Sequence, residues 1–318
     1  MSKQGLNKYT YLYGPVPSRR LGLSLGVDII TAKVCTLDCV YCQLGRTTEK
    51  TIEPRDFKNI KAVLKELKLW LSEGMAANFI TLGGSGEPTL NCRLGEMIDG
   101  IRKLTDTPVA ILTNGTLLYR PDVRAACAKA DVVLPSLDAG DERLFRKICR
   151  PYGDISIEKL ILGLCRFREE YSGQIWLEVF LVGGMNTGPD ELARIKNAIE
   201  RIKPNKVHLN TAVRPPAEPD VRAVDPDALA AIARQLGGMC EVIADFPAGR
   251  CVRNAEVEDV TILSMLKRRP CTLGDICKGL GVAEDEALAV IHRLQQGGFI
   301  ISEKRGEVTF FKVIGISR

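Results

Sequence analysis

The run Cys35-Thr36-Leu37-Asp38-Cys39-Val40-Tyr41-Cys42 places three thiols within eight residues at C-x3-C-x2-C spacing. Thiolates are soft donors suited to iron–sulfur clusters, and one short loop can wrap three of them round a four-iron cube while the fourth iron stays open. Unrelated core cysteines and a zinc loop are the competing readings. Zinc in structural sites takes four ligands, usually from repeated C-x2-4-C pairs, and the two histidines of the chain, His208 and His292, lie far from the loop in sequence. Upstream, in Leu21-Gly22-Leu23-Ser24-Leu25-Gly26-Val27-Asp28-Ile29-Ile30, the odd positions are aliphatic and the even ones small or polar until Ile30. That is the period of a strand. The cysteine loop therefore leaves a strand at its C-terminal end, where barrel-type α/β folds carry their sites.

The same strand-then-loop pattern recurs along the chain. Phe79-Ile80-Thr81-Leu82 runs into Gly83-Gly84-Ser85-Gly86-Glu87-Pro88-Thr89-Leu90, and residues 108–112 end in Thr113-Asn114-Gly115-Thr116. Residues 131–134 end in Pro135-Ser136-Leu137-Asp138, residues 175–182 in Gly183-Gly184-Met185-Asn186, and residues 206–210 in Thr211-Ala212-Val213-Arg214-Pro215-Pro216. Stretches 57–71, 92–105, 122–130, 157–170, 190–202 and 226–237 carry apolar residues at three-to-four spacing in a charged background, as helices covering a sheet do. Strands alternating with helices predict an α/β chain with neighbouring parallel strands and right-handed crossovers. Residues 226–237 and 240–243 predict one further helix and an edge strand.

Together the cysteine loop and the Gly-Ser-Gly-Glu-Pro-Thr-Leu turn resemble the radical S-adenosylmethionine superfamily over roughly residues 20 to 220. The resemblance implies a partial (β/α)6 barrel in which Cys35, Cys39 and Cys42 hold a [4Fe–4S] cluster. The open iron would take the amino and carboxylate groups of S-adenosylmethionine, an electron would enter the sulfonium, and a 5′-deoxyadenosyl radical would abstract hydrogen from a substrate. It implies that Gly83, Gly84 and Gly86 let the amino-acid end of that ligand approach the backbone, since glycine leaves no Cβ in the way. Glu87 is read either as a carboxylate placed at a helix start by the dipole or as a group near the bound amino group. Tyr41 matches the family aromatic beside the cluster and the adenine, a plain core aromatic being the alternative. Ser136 and Asp138 match the ribose-contacting position and Asn114 faces the same mouth, although such residues also suit turns. The start Pro17-Ser18-Arg19-Arg20-Leu21-Gly22 and the run Ser136-Leu137-Asp138-Ala139-Gly140 resemble, more narrowly, Fe–S oxidoreductases related to 4-demethylwyosine synthase. That synthase carries extra N-terminal cysteines for a second cluster, and no cysteine precedes Cys35 here.

Charged residues on otherwise apolar strands are the candidates for substrate chemistry. Glu178 sits mid-strand, where an unpaired carboxylate is costly, and either pairs with Arg214 or reaches a ligand. His208 alternates with Val207 and Leu209 and is either a proton relay or a packing histidine. Arg214, before Pro215-Pro216, is a candidate anchor for an anionic group. Arg19 and Arg20 either cap the barrel or touch a substrate phosphate. These readings divide the chain into a barrel with its extensions, residues 1–253, and a small domain, residues 254–318. The small domain shows three short helices, a Thr272/Asp275 capping-box start and a hairpin about Lys304-Arg305-Gly306, which predicts a winged helix. Such domains often read nucleic acid. Its third helix opens on Glu284-Asp285-Glu286, however, and from Arg253 onward ten Lys and Arg face nine Asp and Glu, a balance of +1. A protein-docking or substrate-presenting module is favoured, RNA or DNA contact is the alternative, Lys267, Arg268, Arg269, Lys304 and Arg305 being its basic patch, and a plain lid is the third reading.

Composition agrees with an enzyme of two domains: 318 residues, 45% hydrophobic, 26% charged and a net charge of +5. No signal peptide or membrane span is expected. Eleven cysteines are too sparse for a secreted disulfide scaffold, and an open-iron cluster requires a reducing, cytoplasmic setting. The expected function is reductive cleavage of S-adenosylmethionine and modification of a small metabolite or peptide, with a low-potential donor such as flavodoxin or ferredoxin. A tRNA-base modifier and an iron–sulfur DNA-binding regulator are the alternatives.

Overall fold

The structure is a computed structural model that describes residues 9–243, 259–268, 270–280, 282–305 and 308–314. The expected domain boundary at 253/254, Gly306 of the hairpin turn, and the side chains of Lys267, Arg268 and Arg269 lie outside the described residues.

Strand β1 (Leu12–Ser18) pairs antiparallel with β2 (Gly22–Val27), and the short β3 (Val34–Cys35) and β4 (Glu49–Lys50) pair at the base of the cysteine loop. Then follow α1 (Ile60–Ser72), β5 (Phe79–Leu82), α2 (Leu94–Arg102), β6 (Val109–Thr113), α3 (Pro121–Cys127) and β7 (Val132–Pro135). The chain continues through α4 (Glu142–Ile148), α5 (Ile157–Glu170), β8 (Gln174–Leu181), α6 (Pro189–Ile202), β9 (Lys206–Thr211), α7 (Pro226–Leu236) and β10 (Cys240–Val242). The sheet runs β1-β2-β5-β6-β7-β8-β9-β10, parallel throughout from β2 to β10.

Period-2 alternation sorts each strand onto two faces. Leu25, Val27, Ile80, Val109, Ile111, Val133, Leu177, Val179, Val207 and Leu209 join one core with helix residues such as Val63, Trp70, Ile98, Phe167 and Ile199. Burial of each such side chain contributes roughly 1.5–3 kcal/mol. The opposite face carries a smaller cluster, Leu21, Ala110, Val132 and Leu134 with Phe79, Leu112 and Trp176 packed on it. Residues of that face from β2, β5, β6, β8 and β9 line a single cavity, so the sheet curves round it. Arg19 Nη1 donates to Ile243 O at 2.9 Å and ties the β1–β2 turn to the chain just after β10.

The six expected strands and the edge strand form where the pattern placed them. Four elements go beyond it: β1, α4 and the two-residue strands β3 and β4. β1 carries Pro15 and Pro17, residues that argue against a strand interior and are tolerated at a sheet edge, and that edge is where it lies. α4 has seven residues, too few to show a helical period, and starts on an Asp141 cap that accepts from Leu144 N.

Beyond these, α8 (Asp259–Arg268), α9 (Leu273–Leu280), α10 (Glu284–Gln296), β11 (Ile300–Arg305) and β12 (Val308–Val313) bury their own core of Ile262, Leu266, Ile276, Val290, Leu294 and Phe311. The expected capping box is present, with Asp275 N to Thr272 Oγ1 at 3.0 Å and Thr272 N to Asp275 Oδ2 at 3.1 Å. Val16 of β1 packs against this second core.

Candidate active site

The cysteine loop is seated on the C-terminus of α4, where a helix leaves carbonyls without intrahelical partners. Val40 N donates to Ile148 O at 2.9 Å and Asp38 N to Cys149 O at 3.0 Å. Leu37 and Val40 point into the core. Cys39 and Cys42 open onto the cavity of about 410 Å³. Cys35 Sγ lies 3.5 Å from both Leu37 N and Asn114 Nδ2. Lys33 Nζ lies 3.8 Å from Cys42 Sγ, and Cys149 donates to Asp138 Oδ2 at 3.6 Å. Burial, then repulsion from Glu87, pushes the Cys35 thiol up. Burial also pushes Cys42 up, against the opposing pull of Lys33. Such thiols keep their protons unless a cation replaces them, and a cluster iron is such a cation. The donor set fits an iron–sulfur group.

β5 delivers the glycine turn to the same cavity, where Gly84 and Gly86 are in the wall. Gly84 has φ +132°, and a Cβ there would stand 3.3 Å from the Tyr13 hydroxyl. At Gly86 a Cβ would overlap the Val34 carbonyl, so this glycine lets the two loops touch, through Lys33 N to Ser85 O at 2.7 Å and Glu87 N to Val34 O at 3.1 Å. Gly83 packs on Leu112, behind the wall. Glu87, only 2% exposed, caps the short turn Pro88–Leu90 rather than the helix α2, which starts at Leu94. Its carboxylate accepts from Thr89 N at 3.1 Å, Thr89 Oγ1 at 2.6 Å, Thr113 Oγ1 at 2.5 Å and Asn114 N at 2.7 Å. Burial pushes its pKa up, while these four donors pull it down.

Tyr41 stacks on Phe180 with ring centroids 3.8 Å apart, both in the cavity wall, and its hydroxyl donates to Asp138. Asp138 is buried beneath that pair and also accepts from Phe180 N at 2.9 Å; burial pushes its pKa up to about 6. Ser136 bridges to the backbone of Glu178. Asn114, Ser136 and Asp138 thus stand behind the wall, where they hold the residues that form it.

Glu178 is in the wall, and it pairs with Arg20 rather than with Arg214. Asn210 Nδ2 donates to it at 2.8 Å. Burial would raise its pKa, but Arg20, Asn210 and Arg19 together hold it below the ordinary carboxylate value. Arg20 lies 158 positions from Glu178 and Arg214 far fewer, yet β1, absent from the pattern, is what brings Arg20 to it. Arg214 meets Asp275 of the C-terminal unit at 3.4 Å. His208 is 2% exposed, edge-on to Trp176, with its Nε2 3.9 Å from Glu241 and its Nδ1 without a hydrogen-bond partner. Burial, then Arg20, pushes it down to about 4, and it stands outside the cavity wall.

The family model described as the Radical SAM superfamily matches residues 29–199, the segment from the cysteine loop to α6. The chain belongs to the radical SAM superfamily. As a radical SAM enzyme it uses S-adenosylmethionine and a [4Fe–4S] cluster. A UPF0026 protein of Methanocaldococcus jannaschii is 32% identical over 316 residues, 96% of this chain and 97% of that protein. A Brachyspira hyodysenteriae protein named GTPase Obg is 34% identical over 295 residues, 92% of this chain but 43% of that protein, so the chain spans less than half of that relative. Among solved structures, Streptococcus suis SuiB bound to precursor peptide SuiA shares the fold, with a TM-score of 0.50 and 15% identity over 66% of this chain and 44% of that one.

Several wall residues of this radical SAM enzyme escaped the sequence pattern. Tyr13 lies across Gly26 and its hydroxyl donates to Gly83 O at 3.4 Å. Ser24 and Thr81 hydroxyls meet at 2.6 Å on neighbouring strands. Met265 reaches the cavity from α8. The alternating Tyr9, Tyr11 and Tyr13 were the available signal for the first of these; long-range pairing left none for the others. Among the described residues ten cysteines are all free thiols, and no helix is long and apolar enough to cross a membrane.

Proposed function

We propose that Cys35, Cys39 and Cys42 hold the cluster of a partial (β/α)6 barrel, that S-adenosylmethionine lies against Tyr41, Gly84 and Gly86, and that the Glu178–Arg20–Asn210 group receives a small metabolite or a peptide segment. The observation that carries this reading is one cavity: two of the three thiols, the glycine turn and the charged group share its wall. A cluster held there would supply the electron needed to cleave the sulfonium ligand. The chain's own residues do the rest. Tyr41 and Phe180 offer an aromatic face for the adenine, and the opening at Gly84 admits the amino-acid end to the β5 edge. Glu178, kept ionised by Arg20, accepts a hydrogen bond from a substrate donor, while Leu112, Ile243 and Met265 keep water from the opposite side. Gly83, Glu87, Asn114, Ser136 and Asp138 position these groups.

The three helices and hairpin of the C-terminal unit support a winged helix that presents or covers substrate. Asp275 on Arg214 and Met265 in the wall place it at the cavity. Glu284, Asp285 and Glu286 are exposed at the start of α10, the wrong sign for a phosphate surface, which weighs against RNA-base modification and DNA regulation. The likeness to 4-demethylwyosine synthase thus extends to the scaffold rather than to its tRNA chemistry. The setting is reducing and cytoplasmic, with a flavodoxin- or ferredoxin-like donor. The test is anaerobic reconstitution, then assay of S-adenosylmethionine cleavage against metabolite, peptide and RNA pools. Cleavage stimulated by a metabolite or peptide fraction is expected; stimulation by RNA alone overturns the substrate reading.

A further inference from the structure

Two of the three thiols have a side-chain donor, Cys42 in Lys33 and Cys35 in Asn114. Lys33, 7% exposed, takes a left-handed backbone with φ 65° and is locked on both sides, its N–H on Ser85 O and its carbonyl receiving Thr48 N and Glu49 N. Its ammonium donates to Gly45 O and stands 3.8 Å from Cys42 Sγ. A buried ammonium is costly without an anion, and a ligand thiolate is an anion at that place. Asn114 is oriented by Thr116, whose N–H and hydroxyl donate to Oδ1 at 3.0 and 2.7 Å, so that Nδ2 faces Thr36 Oγ1 at 2.8 Å and Cys35 Sγ at 3.5 Å. This network fixes which end of the amide meets sulfur. Cys149, 2% exposed, donates its S–H to Asp138 Oδ2 at 3.6 Å, beside the Tyr41 hydroxyl and Phe180 N that the same carboxylate accepts.

We propose that Lys33 and Asn114 are positioning residues, side-chain donors to the Cys42 and Cys35 thiolates, and that this pair, with the Lys33 charge dominant, sets the reduction potential of the cluster. The inference rests on the assignment of Cys35, Cys39 and Cys42 as the cluster ligands. Its physical basis is that one-electron reduction adds negative charge shared with the sulfurs; a fixed cation or hydrogen-bond donor stabilises the reduced form more than the oxidised one and raises the potential. The ranking follows from charge: a full ammonium outweighs a neutral amide.

The test is potentiometric titration of anaerobically reconstituted full-length chain, followed by electron paramagnetic resonance of the reduced cluster, with iron and sulfide assays on the same samples. Lys33→Met with full iron content should lower the equilibrium constant for electron uptake at least tenfold, about 59 mV more negative. Asn114→Ala should shift the same way by less, and Lys33→Arg should stay within about threefold of wild type, or roughly 30 mV. Loaded Lys33→Met at an unshifted or more positive potential overturns the proposal. Where Lys33→Met takes up no iron, Asn114→Ala decides: a more negative potential supports the pair and an unshifted one overturns it. A wild-type chain that forms no cluster overturns the ligand assignment itself, and with it this inference; a loaded wild type beside unshifted variants overturns the inference alone.

Discussion

His208 lies on β9, edge-on to Trp176 and outside the cavity wall. It is neutral in the native chain, with its pKa near 4, whereas the unfolded chain takes up that proton near 6.5. Stability therefore falls as pH drops from about 6.5 to about 4 and loses nothing further from this group below that window, because both states are then protonated. At pH 5 the loss amounts to about 2 kcal/mol. We predict that His208→Leu removes most of that loss while changing stability little at pH 7.5; urea unfolding at the two pH values measures it, and an equal acid loss in the variant would sink the account. At the cluster loop, Cys39→Ala should abolish iron uptake and S-adenosylmethionine cleavage yet keep the wild-type circular dichroism, since the thiol faces the cavity and the loop is held by Leu37, Val40 and α4. Iron analysis beside the spectrum decides it. The cysteines were legible because ligand spacing is local. Arg20 as the partner of Glu178 was not, because the contact spans 158 positions and depends on how a proline-bearing edge strand pairs.

At the scale of elements, the glycine turn makes two different demands with one residue type. Gly86 accommodates the backbone of the cysteine loop, so Gly86→Ala should cost about 1–3 kcal/mol of stability through overpacking. Gly84 is in the cavity wall at a φ that side chains avoid, and Gly84→Ala should raise KM for S-adenosylmethionine about tenfold with a smaller change in kcat, the signature of lost uniform binding. Thermal unfolding and steady-state kinetics on the pair test this. Identical effects in both variants would mean that the turn acts as one structural unit. The run Gly83–Glu87 was recognisable as a motif, but motif membership did not separate wall from support. Glu87, with four internal donors, and Asp138, beneath the Tyr41–Phe180 stack, both lie outside the cavity wall. The parallel strands were readable from alternation alone; β1 and α4 were not, the first because of its prolines and the second because seven residues hold barely two turns.

For the whole molecule, the C-terminal unit is joined to the sheet by Val16, Met265 and the Arg214–Asp275 pair, whose side chains are 3% and 11% exposed. Asp275→Asn keeps an oxygen for the helix cap and removes the charge. We predict faster proteolysis between the two units and a several-fold fall in product formed per S-adenosylmethionine cleaved, with the cleavage rate itself changed less. Limited proteolysis and a product-to-deoxyadenosine ratio measure the two effects; an unchanged ratio would reduce the unit to scaffolding. The arrangement of its helices was visible in the capping box and the hairpin pattern. Its place beside the cavity was not, since a sequence shows no sign of which surfaces meet.

The seating of residues 38 and 40 on the carbonyls of 148 and 149 also has a temporal consequence. During synthesis the thiols leave the ribosome more than a hundred residues before the helix end that shapes their loop, and domains form as their parts become available. Metallation is then a late event: a nascent chain stalled before α4 should carry reduced, unloaded cysteines, and one stalled beyond α4 and the strands around it is the earliest that iron-delivery machinery could fill.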